Sequence, residues 1–528
     1  MTLDGFTGWP PEFARRYRDL GYWQGRTLGG LLHDSARRGP DRTALVDGER
    51  RWTYAELDRD AGRVAAGLRR KGLVRGDRLL VHLPNVAEFV LLLFGCFRAG
   101  VVPVLALPAH RETELEHLGT LAGAVACVSD DAALAATITE RVPTVRRAFV
   151  TGSFAELLTE NPDGEDAADP ADIAVLLLSG GTTGLPKLIP RTHDDYAYNL
   201  RASAEVSATT GDTVYLAALP AAHNFALACP GVLGTLWAGG TVVLSASADP
   251  ETAFPLIERE RVTTVALVPP LVLVWLDAAE FLEPDLSSLR LVQAGGARLK
   301  EEAARRVRPV LGCALQQVYG MAEGLLNFTR LDDPDELVAN TQGRPLSADD
   351  EVLLVDEDGR PVPDGEPGEL LVRGPYTLRG YFRAPEHNRR SFTPDGFYRS
   401  GDLVRRQPSG HLVVEGRRRD VINRGGDKVP VEEVENLLLA HPAVHDVAIV
   451  GFPDEAMGER SCAFVVAHGT PPTRADLVAH LTALGIAAFK LPDRVRVLDS
   501  FPRTGLGKVD RVVLADLAVR SGQRSARA

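Results

Sequence analysis

The chain has 528 residues, 45% hydrophobic and 25% charged, with 71 acidic against 59 basic side chains and a formal net charge of −12. That mixture can bury a large core, so it excludes a disordered chain, and at ~100–200 residues per domain the length implies more than one domain. The acidic balance argues against a general nucleic-acid binder, which carries a basic face.

The first residues, Met1-Thr-Leu-Asp-Gly-Phe, lack the basic and apolar segments of a signal peptide. A short apolar strand is predicted at 78–83. Asn85 is expected to cap a helix running to Ala99, and a strand resumes at 101–107, a β-α-β rhythm. The most apolar stretch, 89–107, is broken by Arg98, Gly100 and Pro103, whereas a membrane span needs ~20 uninterrupted apolar residues. Residues 160–170 read as an acidic loop. The rhythm returns as strand 289–294, helix 299–310 and strand 314–319, which predicts α/β layers with largely parallel sheets. Short strands at 351–356 and 369–373, separated by Asp-Gly and Pro-Gly turns, point to a more antiparallel β region. Beyond 416–420 come a helix at 431–439, strands at 444–451 and 463–467, and a helix at 475–484. The expected class is therefore α/β: a large N-terminal domain (1–418) of layered α/β sheets plus a β region, and a small α+β C-terminal domain (419–528). The five Cys (96, 127, 229, 313 and 462) form no CxxC pair, which suggests reduced thiols and a cytoplasmic protein.

The sharpest local signal is Ser179-Gly-Gly-Thr-Thr-Gly-Leu-Pro-Lys187, entered from an apolar strand. Glycines let backbone N–H groups crowd around an anion, hydroxyls add donors and Lys adds a point charge, as a polyphosphate requires. Neither GxxxxGK[ST] nor a helix-opening GxGxxG is present, so a Walker-type or dinucleotide site is poorly supported. Four more segments follow: Tyr319-Gly-Met-Ala-Glu323, Tyr398-Arg-Ser-Gly-Asp402, Gly416-Arg-Arg-Arg-Asp420 with Asn423-Arg-Gly-Gly-Asp-Lys428, and Pro502-Arg-Thr-Gly-Leu-Gly-Lys508.

These five segments, in this order over nearly the whole chain, resemble the adenylate-forming superfamily of acyl-CoA synthetases, luciferases and peptide-synthetase adenylation domains. The resemblance implies ATP and Mg²⁺ as cofactors and attack of a carboxylate on the α-phosphate of ATP. A carboxylate is already a nucleophile, so the site must supply positioning and charge neutralisation rather than a base. By resemblance, Ser179, Gly180, Gly181, Thr182, Thr183, Gly184 and Lys187 would hold the β/γ-phosphates. Gly295, Gly296 and Ala297, with Val318, Tyr319 and Gly320, would frame adenine. Met321 and Ala322 continue that border, although Ala322 stands where the family often has Thr and so loses a hydroxyl contact. Asp402 would take the ribose hydroxyls, Arg417 the ribose and phosphates, and Glu323 with Thr182 the Mg²⁺. Lys508 would bridge the attacking carboxylate and the α-phosphate, and the small domain would swing about a hinge at Arg419, where relatives commonly have Lys or Asp.

His223-Asn-Phe-Ala-Leu-Ala-Cys229 and the stretch ending at Asn327 resemble the aryl-acid-activating branch. The resemblance implies that Asn224 bonds the ortho hydroxyl of the ring, that His223 lines the reacting carboxylate end, and that Phe225, Cys229, Gly296 and Leu326 complete the pocket. Dihydroxybenzoate-activating relatives carry Ser and Val where this chain has Cys229 and Leu326. Cys is a weak donor and Leu adds bulk, so salicylate is expected over 2,3-dihydroxybenzoate, with 3-hydroxypicolinate a further candidate. The expected thiol acceptor is a separate phosphopantetheinylated aryl carrier protein, with an aryl-CoA ligase as the competing class.

Overall fold

A computed structural model describes residues 3–158, 167–179, 186–417, 421–424, 427–454, 457–484, 486, 488–504 and 508–520. The chain divides into two compact units. The first comprises 1–181, 185–352 and 372–398, and the second 182–184, 353–371 and 399–528.

The first unit holds two sheets. The six-stranded sheet runs Arg147–Val150, Ala126–Ser129, Arg78–His82, Val102–Ala106, Ile173–Leu178, Leu188–Thr192. It is parallel except where Leu188–Thr192 turns back along Ile173–Leu178. The nine-stranded sheet runs Arg344–Pro345, Leu326–Phe328, Ala314–Gly320, Leu291–Gly295, Thr264–Leu267, Val214–Ala217, Thr241–Leu244, Thr43–Asp47, Arg50–Thr53. Its middle is parallel and both edges are antiparallel. Strands such as Ile173–Leu178 are apolar on both faces because helices cover both sides of a parallel sheet. The helix Ala87–Ala99 is likewise apolar all round and almost wholly buried. It crosses the helix Tyr54–Arg70 so closely that a Cβ on Gly95 would lie 2.4 Å from Val64.

Asn85 does not cap that helix as expected. The N-cap is Val86, without a side-chain bond, and Asp47 Oδ2, at the end of a neighbouring strand, accepts from Ala87 N at 3.0 Å. Asn85 Nδ2 instead donates to Ala217 O (2.8 Å) and Leu219 O (2.9 Å), and its Oδ1 accepts from Ala221 N (2.7 Å). With Ser245 O also 3.2 Å from Nδ2, a side chain with two donors and two acceptor lone pairs is satisfied better by four backbone partners than by one cap. The result pins the segment that leads to His223.

A four-stranded sheet runs Glu351–Val355, Pro367–Arg373, Tyr398–Arg406, Leu412–Arg417, its last two strands antiparallel. A separate five-stranded sheet is built on the long hairpin of Val444–Asp454 and Gly458–Ala467. Its core joins Val434 and Leu438 of one helix to Leu477 and Leu481 of another. All five cysteines are buried free thiols. Among the described residues no helix is long and apolar enough to cross a membrane.

Candidate active site

The nine-stranded sheet places the site. Val214–Ala217 lies between Thr241–Leu244 and Thr264–Leu267, so the chain leaves it to one side and later returns to the other. The carboxyl ends of strands at such a reversal open a crevice for ligands. The segment leaving Val214–Ala217 is the one held by Asn85, and it delivers His223 and Asn224.

His223 caps the short helix Asn224–Ala228, its Nδ1 accepting from Phe225 N at 3.3 Å. That bond commits Nδ1 as acceptor and leaves the proton of the neutral ring on Nε2. Asn224 Oδ1 accepts from the Tyr196 hydroxyl at 2.7 Å, and Asn224 Nδ2 lies 3.7 Å from Cys229 Sγ. Cys229 Sγ in turn donates to Asn224 O at 3.6 Å, and burial pushes this thiol up to about 12. It is therefore an uncharged, weakly polar wall.

Phe225 packs on the next two strand ends. A Cβ on Gly295 would lie 2.7 Å from the Phe225 ring and 2.9 Å from Val318 O, and Gly295 is in register with Val318. Gly296 follows in the left-handed region, at φ +84°. Gly320 stands opposite Leu326, whose Cδ2 would lie 2.4 Å from an added Cβ. The structure thus brings together Asn224 with Cys229, Phe225 with Gly295, Gly295 with Val318, and Gly320 with Leu326. Leu326 N donates to the Tyr376 hydroxyl (3.1 Å), which donates to Asp350 Oδ2 (2.6 Å).

A second group in the same unit gathers charge. Ser179 and Lys187 are joined through Ser179 N to Lys187 O and Lys187 N to Ser179 Oγ, both 3.0 Å. Gly180, Gly181, Thr182, Thr183 and Gly184 lie outside the described residues. Lys187 Nζ sits 5.4 Å from the centroid of the Tyr381 ring. The Tyr381 hydroxyl donates to buried Glu323 at 2.7 Å and is 2.9 Å from the Tyr398 hydroxyl. Gly324, at φ +149°, allows the Glu323 turn to lie against Thr377, where a Cβ would come within 2.5 Å of the Thr377 backbone. Tyr381 and Tyr196 are functional candidates that the sequence did not reveal. Each acts on a partner far away in the chain, and neither stands in a distinctive local pattern.

A buried ion pair backs both groups. Arg191 and Asp195 have fully buried side chains, with Arg191 Nε 2.7 Å from Asp195 Oδ1. Asp195 Oδ2 accepts from Thr192 N (2.7 Å) and Thr192 Oγ1 (2.8 Å), closing the N-terminus of the helix His193–Val206. Burial raises the Asp195 carboxyl, and Arg191 and Thr192 pull it back. Arg191 also donates to Ala322 O at 3.2 Å, so Ala322 contributes a backbone carbonyl rather than a hydroxyl.

In the second unit, Asp402 and Arg417 are direct cross-strand partners, and Asp402 N donates to Ser400 Oγ at 3.1 Å. Arg419 lies outside the described residues, as does the side chain of Arg417. Lys508 ends a loop closed by Thr504 N to Lys508 O and Asp510 N to Pro502 O, both 2.8 Å.

Two variants test this support. Asp195→Ala leaves a buried guanidinium unpaired and should cost about 3–5 kcal/mol in denaturant unfolding, with Asp195→Asn milder; a loss below ~1 kcal/mol would show the pair to be dispensable. Burial raises the Asp350 carboxyl from 3.8 to about 7, so the folded state binds its proton more tightly than the unfolded chain does. Stability from this group is complete below the ordinary carboxylate range and declines as pH rises from about 4 to about 7. Asp350→Asn keeps an acceptor for Tyr376 and cannot ionise. Its Tm should gain a few degrees on the parent across that window, and parallel Tm-against-pH curves would contradict the assignment.

Comparison with known proteins agrees with this geometry. Residues 32–382 match the AMP-binding enzyme family and residues 433–508 the AMP-binding enzyme C-terminal domain. The chain is 53% identical over 526 residues to the 2,3-dihydroxybenzoate-AMP ligase of Bacillus subtilis, spanning 97% of this chain and 98% of that protein. It is 48% identical to the salicyl-AMP ligase / salicyl-S-ArCP synthetase of Mycobacterium tuberculosis, spanning 98% and 96%. The apo structure of Mycobacterium smegmatis MbtA superposes with a TM-score of 0.77 at 51% identity, covering 97% of this chain and 98% of that one. The chain therefore belongs to the AMP-binding enzyme family, in its aryl-acid-activating branch.

Proposed function

We propose that the chain joins salicylate to ATP, giving salicyl-AMP and pyrophosphate, and passes the acyl group to the pantetheine thiol of a separate aryl carrier protein. The setting would be cytoplasmic assembly of a siderophore or related nonribosomal peptide. What supports the choice of acid is the pair Cys229 and Leu326: a protonated, buried thiol beside Asn224, and the bulk of a leucine over Gly320. Overall identity to the two named ligases does not decide between their acids, so the pocket must. A meta hydroxyl would meet a weak donor and an apolar side chain there, a moderate penalty of roughly a hundredfold.

A carboxylate oxygen of the acid attacks the α-phosphorus as its bond to the bridging oxygen breaks and pyrophosphate leaves. We assign the β/γ-phosphates to Ser179, Lys187 and the loop between them, and adenine to the strand ends at Gly295–Ala297 and Val318–Gly320. The ribose goes to Asp402 and Arg417, and the charge that grows between carboxylate and phosphate goes to Lys508. The His223 Nε2–H would face the carboxylate end. The thiol sulfur then attacks the acyl carbon and AMP departs, with the C-terminal domain turning about Arg419 between the steps. Glu323, buried with the Tyr381 hydroxyl on one oxygen, offers the hard-oxygen chemistry that Mg²⁺ takes, and Thr182 is its expected companion. Among the described residues no three His, Cys, Asp or Glu converge on one point, which fits an ion shared with substrate phosphates rather than caged by protein. When bound, Mg²⁺ would neutralise phosphate charge.

Pyrophosphate exchange with salicylate, 2,3-dihydroxybenzoate, benzoate and 3-hydroxypicolinate tests the assignment. Salicylate should lead, and Cys229→Ser with Leu326→Val should narrow or reverse its lead over dihydroxybenzoate; an unchanged ratio sinks it. Lys508→Ala should lower adenylate formation at least about a hundredfold while thioester formation from supplied salicyl-AMP persists, and equal loss in both steps refutes the division of labour. Turnover with free CoA matching that with a carrier protein would favour a CoA ligase.

A further inference from the structure

Resting on Asn224 as the reader of the ortho position, we propose that Tyr196 is a positioning residue. It fixes Asn224 with the carboxamide nitrogen toward the ring, so that the pocket selects aryl acids whose ortho group is a hydrogen-bond acceptor.

The argument begins with distance. Tyr196 Oη lies 2.7 Å from Asn224 Oδ1, the usual spacing of an O–H···O bond and shorter than the ~2.9–3.0 Å of N–H···O. An amide whose oxygen is held must turn its NH₂ the other way, and Asn224 Nδ2 points to Cys229 Sγ at 3.7 Å. The Cys229 proton is committed to Asn224 O at 3.6 Å, so the sulfur is left to accept, which it does weakly. Among the described residues Nδ2 has no second acceptor, and its other N–H is the strong donor that remains.

The phenol cannot easily abandon this role. Tyr196 is fully buried, and burial holds its hydroxyl well above the ordinary phenol range, protonated throughout the working pH. The Arg191 guanidinium lies 4.7 Å from the centre of its ring, a cation–π contact, and Arg191 is itself fastened to Asp195 and Ala322 O.

The chemistry of the ortho group follows. A salicylate hydroxyl donates internally to its own carboxylate, leaving oxygen lone pairs to accept from Asn224 Nδ2. A pyridine nitrogen ortho to the carboxylate also accepts. An ortho amino group gives one N–H to the carboxylate and presents the other to Asn224, donor against donor, and its lone pair is delocalised into the ring. Buried polar groups left facing each other unpaired are strongly disfavoured.

The test is pyrophosphate exchange with salicylate, anthranilate and benzoate, for the parent chain, Tyr196→Phe and Asn224→Asp. The parent should prefer salicylate to anthranilate by about a hundredfold in kcat/KM. In Tyr196→Phe the freed amide can rotate, so both the salicylate/anthranilate and salicylate/benzoate ratios should fall about tenfold, chiefly through KM. A purely structural role would lower all three acids together and leave the ratios alone, overturning the proposal. Asn224→Asp keeps the acceptor for Tyr196 and replaces the donor with an oxygen, so it should favour anthranilate over salicylate. If the Phe variant does not fold, this reversal and the parent's own ratio decide: a parent that uses anthranilate as well as salicylate refutes the inference. Activity with salicylate but unaltered ratios defeats only the Tyr196 role, whereas inactivity with every aryl acid defeats the substrate reading and this inference with it.

Discussion

The Arg191–Asp195 pair, with neither side chain exposed, is the constraint from which the first unit's site is built. Taking two charges out of water is expensive, and an apolar pair of similar volume can be as stable. What an apolar pair lacks is direction. Each Arg191 nitrogen demands an acceptor at a set angle, and the acceptors used are Asp195, Ala322 O and Asn199 Oδ1. Those three belong to a helix start, the turn before Glu323 and the next turn of the helix. Satisfying one cation therefore fixes the azimuth of the helix His193–Val206. Once that is set, Tyr196 must reach Asn224, and Asn199 Nδ2 must reach Ala228 O at 2.7 Å.

The opposite wall depends on backbone rather than charge. Gly295 and Gly320 stand where strand ends meet Phe225, Val318 O, Leu325 O and Leu326 within 3 Å of where a Cβ would be. Only glycine permits that approach, and it leaves peptide surface at the carboxyl ends of the strands. Buried glutamines behind it hold the strands in step: Gln293 Nε2 donates to Gln316 Oε1 (2.9 Å), and Gln316 Nε2 to Thr329 O (2.9 Å). A half-satisfied buried network is costly, and here Gln293 Oε1 has no partner among the described residues. That orphan lies two residues before Gly295, at the end of the strand Leu291–Gly295.

Much of this was legible in the residues, and the failures share one cause. The β-α-β rhythm emerges within one or two residues of 78–107 as read from the sequence, and so do the helices at 431–439 and 475–484, because local periodicity and propensity agree with burial there. The strands expected at 444–451 and 463–467 are longer, Val444–Asp454 and Gly458–Ala467, because they pair along a hairpin whose length no local pattern marks. The chemical segments were legible because each concentrates unusual residues in a short stretch. Asn85 was misread because its local context, a polar residue before an apolar helix, is a good cap signal, while its actual partners lie over 130 positions away. Tyr196 was invisible for a related reason. Its helix starts His193-Asp-Asp-Tyr and carries Asn199 and Ser203, which by composition reads as a solvated face. All of these are buried, so the polar face is internal. A buried polar helix face is a site signal only after the fold supplies the partners.

The six lysines sharpen the same distinction. Arginine carries the structural ion pairs through its two-pronged fork: Arg51 on Glu260 at 2.8 and 2.9 Å, Arg373 on Glu351 at 2.9 and 2.7 Å, Arg424 on Asp493 at 2.7 and 3.0 Å. These partners are fixed carboxylates, for which a rigid planar donor suits. Lys71 and Lys490 do form carboxylate pairs, with Glu156 and Glu433, so lysine is not excluded from that work. Lys187 holds its ammonium 5.4 Å from the centroid of the Tyr381 ring, whose hydroxyl donates to Glu323. A ring face attracts a cation through its quadrupole. An ammonium is a compact charge with rotatable donors and a guanidinium a rigid planar fork, so the two are not interchangeable there. In a chain that uses arginine almost everywhere else, the segment that starts at Ser179 closes on the one kind of cation that an arginine could not replace shape for shape.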